Sequence, residues 1–501
     1  MKTWLSLSVV LLGCSSEAVR VYDPSGSEEP APEETQPTEP VATLGVTTDV
    51  AVTEVALFQG VKIPLMKSGA AAKNAYATAI AGRPGLLRVY VKPTQGYRSR
   101  ELTAELTLRG PDGTDTVRAV KVTVTQTSSE SSLNSTINFA LAAGDLAQGT
   151  SFKVRLLNGP DFVAAEGTPA QYPSDGDDGV ASFNAVASGK LRVKLVPVRY
   201  NTDGSGRLPD TSAAQVERYR TAFFEQYPVT DVEVTVRDAV SWSTSISANG
   251  SGFDDLLEEM VAIRAQDRAS SDVYYMGIFA STASFDKYCG GGCVTGLSGL
   301  IYDARDEHGR ASVGIGWSGD NAVGTSIHEV GHAHGREHSP CNVSGSRSFP
   351  YDSGSIGSWG YGLLSKKLYS PSAYSDFMGY CNPTWISDYT YGALLTRVRA
   401  VAPLTTPIKG GIAIPGEYRF VQIGPESSLR WGRTLTLPSA PTNSPTTLRT
   451  VEANGDVRNI TGYYYPYAER DGGYMLVRKS DVAGRRLEID VRGATRTLAP
   501  Q

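Results

Sequence analysis

Between about residues 46 and 188, apolar and polar positions alternate with a period of two. Phe152-Lys-Val-Arg-Leu156 is one such run, and Val120, Val122 and Val124 are separated by Lys121 and Thr123. Alternation of this kind predicts strands with one buried face. Gly110-Pro-Asp-Gly113 and Asn158-Gly159-Pro160 supply turns, and no helical period persists, so residues 46–188 are expected to form a β-sandwich of immunoglobulin-like type.

The pattern changes near residue 190. Leu191-Arg-Val-Lys-Leu-Val-Pro-Val198 reads as a strand, 212–226 as an amphipathic helix and Val232–Val236 as another strand. A second helix follows, with Asp254 and Asp255 in its first turn and Leu256, Leu257, Met260, Val261 and Ile263 on its apolar side. Strands are expected at 272–280, 298–303 and 311–317, then a helix from about 322 and another at 384–398. Strands alternating with helices predict an α/β layer over 189–401. Beyond 402 short strands return, such as Tyr418–Ile423 and Leu487–Val491, which predicts a C-terminal β domain at 402–501.

A length of 501 residues fits several domains rather than one core. The N-terminus carries Lys2, a short apolar run and then Cys14, too short to span a bilayer, so 1–13 is read as a secretory signal. Leu11-Leu12-Gly13-Cys14 resembles the bacterial lipobox, which implies cleavage before Cys14, acylation of its sulfur and a lipid-anchored, exported protein, with the outer membrane as the expected site. Residues 14–45 are rich in Pro, Glu, Ser and Thr and poor in apolar groups, the composition of an extended tether. The remaining chain is close to neutral, 47 basic against 52 acidic residues overall, and lacks the basic footprint that binding to nucleic acid requires.

Of five cysteines, setting Cys14 aside leaves Cys289, Cys293, Cys341 and Cys381. Two disulfides are the natural reading in an exported protein. Three pairings are possible; Cys289 with Cys293 and Cys341 with Cys381 is favoured, and a four-thiolate zinc site is the rival.

Four of the five histidines fall in His328-Glu-Val-Gly-His332-Ala-His334-Gly-Arg-Glu-His338. Residues four apart share a helix face, so His328 and His332 can offer imidazoles to one zinc ion, while Glu329 lies beside them as a base for water. Gly335 can adopt the left-handed conformation that turns the chain back and brings His338 round as third ligand, leaving a fourth position open. His334 is expected to face solvent or to stand behind the ligands, and His308 to be a turn residue.

At all five defined positions this segment resembles the metzincin zinc metalloproteases. The resemblance covers about 190–400 and implies a twisted sheet plus an active-site helix, flanked here by β-sandwich-like domains. It also implies that Asp376-Phe-Met-Gly-Tyr380 is the methionine turn, with Met378 beneath the metal and Tyr380 as ligand or oxyanion stabiliser. The function expected is a surface zinc endopeptidase acting on proteins or glycoproteins, with Glu329 as general base. A non-catalytic binding protein with a relic metal site is the alternative, and a zinc hydrolase acting on another bond is a third.

Overall fold

The computed structural model describes residues 45–159, 166–174, 176, 178–401 and 415–500. The expected leader at 1–13, Cys14, the tether up to residue 44 and the boundary at 402 lie outside them. The described part is sheet-rich, with few helices. None of its helices is long and apolar enough to cross a membrane.

The period-two segment forms two antiparallel sheets. Gly60–Lys67, Val50–Phe58, Gly85–Pro93 and Ile137–Leu141 neighbour one another in that order in the first. Ser151–Leu157, Glu101–Arg109 and Asp115–Thr123 do so in the second. In Glu101–Arg109 the alternation is direct: Leu102, Ala104, Leu106 and Leu108 are buried and their neighbours are not. Inward side chains of both sheets join one apolar cluster that continues into the next segment.

That continuity has a counterpart in hydrogen bonds. Gly360–Tyr361, from far along the chain, pairs with Gly60–Lys67 and extends the first sheet, and the Trp385 indole donates to the Gly60 carbonyl at 2.8 Å. Arg83, fully buried, donates to the carbonyls of Phe224 and Val229. Strand pairing between segments so distant in sequence leaves no local mark on either one.

The middle of the chain builds a mixed sheet from β1 (Lys190–Tyr200), β2 (Asp231–Val236), β3 (Val273–Phe279), β4 (Gly296–Ser298) and β5 (Ala311–Ile315), in the order β2-β1-β3-β5-β4. The first four in that order run parallel, and β4, at the edge, runs antiparallel to β5. Helices α1 (Ala213–Gln226) and α2 (Phe253–Gln266) fill the connections β1 to β2 and β2 to β3. Ser212 caps α1 by accepting from the Gln215 N–H, and Asp254 and Asp255 favour the positive end of α2. Helix α3 (Asp320–Ala333) follows β5, and α4 (Asp388–Val401) ends the segment, starting four residues later than the pattern predicts. The delay has a cause: Thr384–Trp385 is spent on a short strand against Ser375–Asp376.

The C-terminal strands form one seven-stranded sheet between Gly416 and Leu498, where sequence reasoning expects a sandwich-like pair. The sheet curls round its own core of Val421, Ile423, Leu448, Met475, Val477, Leu487 and Ile489. Its outermost parts meet, since the Trp431 indole donates to the Ala499 carbonyl at 2.9 Å. Curling buries one face without a second sheet.

Candidate metal centre

Helix α3 packs so that the face bearing His328 and His332 is closed to water, and Tyr227 donates to the Ile327 carbonyl at 2.7 Å beside it. Past Ala333 the chain must reverse. Gly335 does this at φ +81°, and a side chain there would meet the Ile301 carbonyl oxygen at 2.6 Å and the Arg397 guanidinium at 2.5 Å. The Gly335 and Arg336 N–H groups donate to the His332 and Gly331 carbonyls at 2.7 and 3.0 Å, closing the helix end. His338 returns to the same side.

The imidazoles converge through their Nε2 atoms. His328 Nε2 lies 2.9 Å from His332 Nε2 and 3.3 Å from His338 Nε2. Two of the other nitrogens are committed: His328 Nδ1–H donates to the Phe377 carbonyl at 2.7 Å and His332 Nδ1–H to the Arg336 carbonyl at 2.5 Å. Those bonds fix the tautomers of His328 and His332, so their converging atoms present lone pairs. Burial, and then the neighbouring His332, pushes the pKa of His328 down to about 3 and that of His338 down to about 4, which keeps both neutral.

A fourth donor joins them. Glu469, from the turn after the strand Val457–Pro466, places Oε1 3.1 Å from His332 Nε2, with its side chain 7% exposed. The four ligand atoms of His328, His332, His338 and Glu469 lie within 4.8 Å of one another. Lone pairs crowded in this way repel unless a cation lies among them. Nitrogens on one tetrahedral zinc stand roughly 3.3 Å apart, close to the spacing observed, so the residues present fit such an ion. Glu469 was invisible in the sequence: Tyr467-Ala-Glu-Arg-Asp-Gly-Gly473 reads as an ordinary hairpin turn, and 131 residues separate Glu469 from His338.

Glu329 is buried beside this group, and its Oε2 has no hydrogen-bond partner among the described residues. Burial first, and then the Glu469 carboxylate, raises its pKa well above the ordinary carboxylate range. Met378 is buried beneath α3, its sulfur 2.5 Å from where a Cβ on Gly331 would sit. Its N–H donates to Asp376 at 2.8 Å, while its carbonyl accepts from the Ser339 N–H at 3.0 Å. Tyr380 remains 45% exposed, its ring centroid 5.0 Å from that of His338 and 5.8 Å from that of His328. Cys341 is bonded to Cys381, tying the chain after His338 to the end of this turn, and Cys289 to Cys293. The two bonds fit an oxidising, exported environment.

The other histidines serve packing. His334 does not face solvent: it is buried, donates from Nδ1 to the Val330 carbonyl at 2.7 Å and stacks on Tyr274 with ring centroids 4.0 Å apart. His308 sits in a buried turn, its Nε2 3.0 Å from the Ser439 hydroxyl. Beside His338 opens a cavity of about 550 Å³, lined by Leu300, Glu337, Ser344, Arg347 and Ala468 among others.

No curated protein matches the chain. A family model described as Peptidase M66, a zinc metallopeptidase family, matches residues 248–382, the stretch that holds the three histidines, Glu329, Met378, Tyr380 and the four disulfide cysteines. Glu469 falls outside the match, and within it the chain carries the mark of a metallopeptidase.

Proposed function

We propose that this chain is a zinc endopeptidase that cleaves extracellular proteins or glycoproteins while lipid-anchored at the bacterial surface. The observation that carries the reading is the convergence of three imidazoles beside a buried carboxylate, inside the segment that matches the peptidase family. The architecture supports a metzincin-like catalytic domain: a sheet with one antiparallel edge strand, then the histidine helix, a glycine turn and a buried methionine under the helix.

His328, His332 and His338 would hold the zinc, which supplies Lewis acidity that brings the pKa of a water towards neutrality and polarises a carbonyl. Glu329 takes the proton of the attacking water and passes it to the leaving amide nitrogen. Its raised pKa suits this shuttle, since a more basic carboxylate takes the proton more readily and the carboxyl then holds it at neutral pH until the leaving nitrogen accepts it. Partial burial, and then the Glu469 and Glu329 carboxylates, push the Tyr380 phenol up, so it keeps its proton and can donate a hydrogen bond to the oxyanion that forms. Met378 gives the imidazoles an apolar floor. The cavity beside His338 would receive a substrate side chain next to the cleaved bond.

The test is cleavage of a peptide library by the purified chain, with a chelator and then with stoichiometric zinc restored. Chelation should abolish cleavage and zinc should return it; cleavage indifferent to both would refute the reading. Anchoring is tested separately. Cys14→Ala should block incorporation of labelled fatty acid, and a wild-type chain that takes up no label is not lipid-anchored.

A further inference from the structure

The turn that carries Glu469 does more than deliver one side chain. Its backbone runs antiparallel to the chain at the end of β4: Gly299 and Tyr467 form a bridge, Leu300 N–H donates to the Pro466 carbonyl at 2.8 Å, and Ala468 N–H donates to the Ser298 carbonyl at 3.1 Å. The other side of β4 is taken by β5. The turn therefore covers the free edge of the mixed sheet, and extended peptides bind such edges through the same main-chain bonds.

From that position Glu469 reaches the histidines. Its Oε2 accepts from the Ser298 N–H at 3.2 Å, and its Oε1 faces His332 Nε2 without a hydrogen-bond partner among the described residues. Arg470 pins the turn from behind, donating to the Gly250 carbonyl at 3.3 Å and pairing with Asp254 at 3.5 Å. Burying a carboxylate against imidazole lone pairs and a second carboxylate is costly for folding alone. The arrangement becomes favourable with a cation in the cluster.

We propose that residues 466–470 are a built-in latch that keeps the peptidase latent: the backbone occupies the edge an extended substrate would use, and Glu469 occupies the ligand position that substrate and water need. The inference rests on the zinc-peptidase reading of the same site. Opening is a ligand exchange: one carboxylate oxygen leaves and one water oxygen enters. The main-chain bonds of Ser298 and Leu300 pass from the turn to the substrate. An extended peptide chain is thus both the substrate and the competitor that releases the latch.

The full chain, loaded with cobalt in place of zinc and titrated with acetohydroxamate, tests this through its visible spectrum. Glu469→Ala should bind acetohydroxamate at least 10-fold more tightly than wild type and cleave peptides at least 10-fold faster. Glu469→Gln keeps the shape and the Ser298 contact, guards against misfolding of the alanine variant, and should shift in the same direction. Equal hydroxamate affinity in all three overturns the latch, as does loss of cobalt from both variants, which would make Glu469 an obligate ligand. Failure of all three chains to bind cobalt would instead overturn the metal site on which the latch depends.

Discussion

His338 and His334 stand four positions apart and differ in their surroundings. His338 turns Nε2 into the cluster, whereas His334 stacks on Tyr274 and bonds to its own helix. His338→Ala should therefore weaken zinc binding more than 100-fold with little change in the metal-free fold. His334→Ala should leave zinc affinity within a few-fold and lower metal-free stability by about 2 kcal/mol, the cost of emptying a buried, hydrogen-bonded ring site. Competition with a chromophoric chelator and urea unfolding would measure both, and equal zinc losses would contradict the ligand assignment. The spacing of His328, His332 and His338 was readable because it is local: four residues make one helix face and one glycine makes one turn. Glu469 had no local signature, since only tertiary docking makes its position special.

At the scale of elements, α3 and the methionine turn must hold their geometry together. The Cys341–Cys381 bond joins the loop leaving His338 to the end of that turn, and Ser339 N–H to the Met378 carbonyl is a second tie. The bond closes a loop of 40 residues, for which chain entropy alone gives roughly 4 kcal/mol. Replacing both cysteines by serine should lower the unfolding free energy by about 2–4 kcal/mol and weaken zinc binding; an unchanged urea midpoint would show that the bond braces nothing. The longer elements of the middle segment were legible from their own periodicity, whereas the strand expected at 298–303 lies at Gly296–Ser298 and the short helix Phe285–Cys289 was not foreseen. The start of α4 was misplaced because Thr384–Trp385 answers to a partner strand rather than to helical period.

Across the whole molecule, the segments are joined through buried polar contacts that no single segment announces. Asp306 accepts from the N–H groups of Thr442 and Asn443 and from the Tyr465 hydroxyl, and His308 beside it meets Ser439. Burial holds the His308 pKa below the ordinary 6.5, against the opposing pull of Asp306 and Glu307. As pH falls below 6.5 the unfolded chain takes up a proton that native His308 resists, so stability drops on acidification. Between pH 7.5 and 5.5 wild type should lose up to about 1 kcal/mol more than His308→Gln, read from urea midpoints; parallel losses would contradict this. The same long-range logic explains why the curled C-terminal sheet and the Gly360–Tyr361 strand in the N-terminal sheet escaped sequence reasoning, which sees alternation but not partners. The proposed function stands or falls with Glu329 as the base of zinc-dependent hydrolysis. Its most direct test is zinc content and peptide cleavage measured on the same preparations of Glu469→Ala and of Glu329→Gln/Glu469→Ala. Both should carry one zinc per chain, and the double variant should cleave 10²–10⁴-fold more slowly; two zinc-loaded chains that cleave at the same rate would rule Glu329 out as the base.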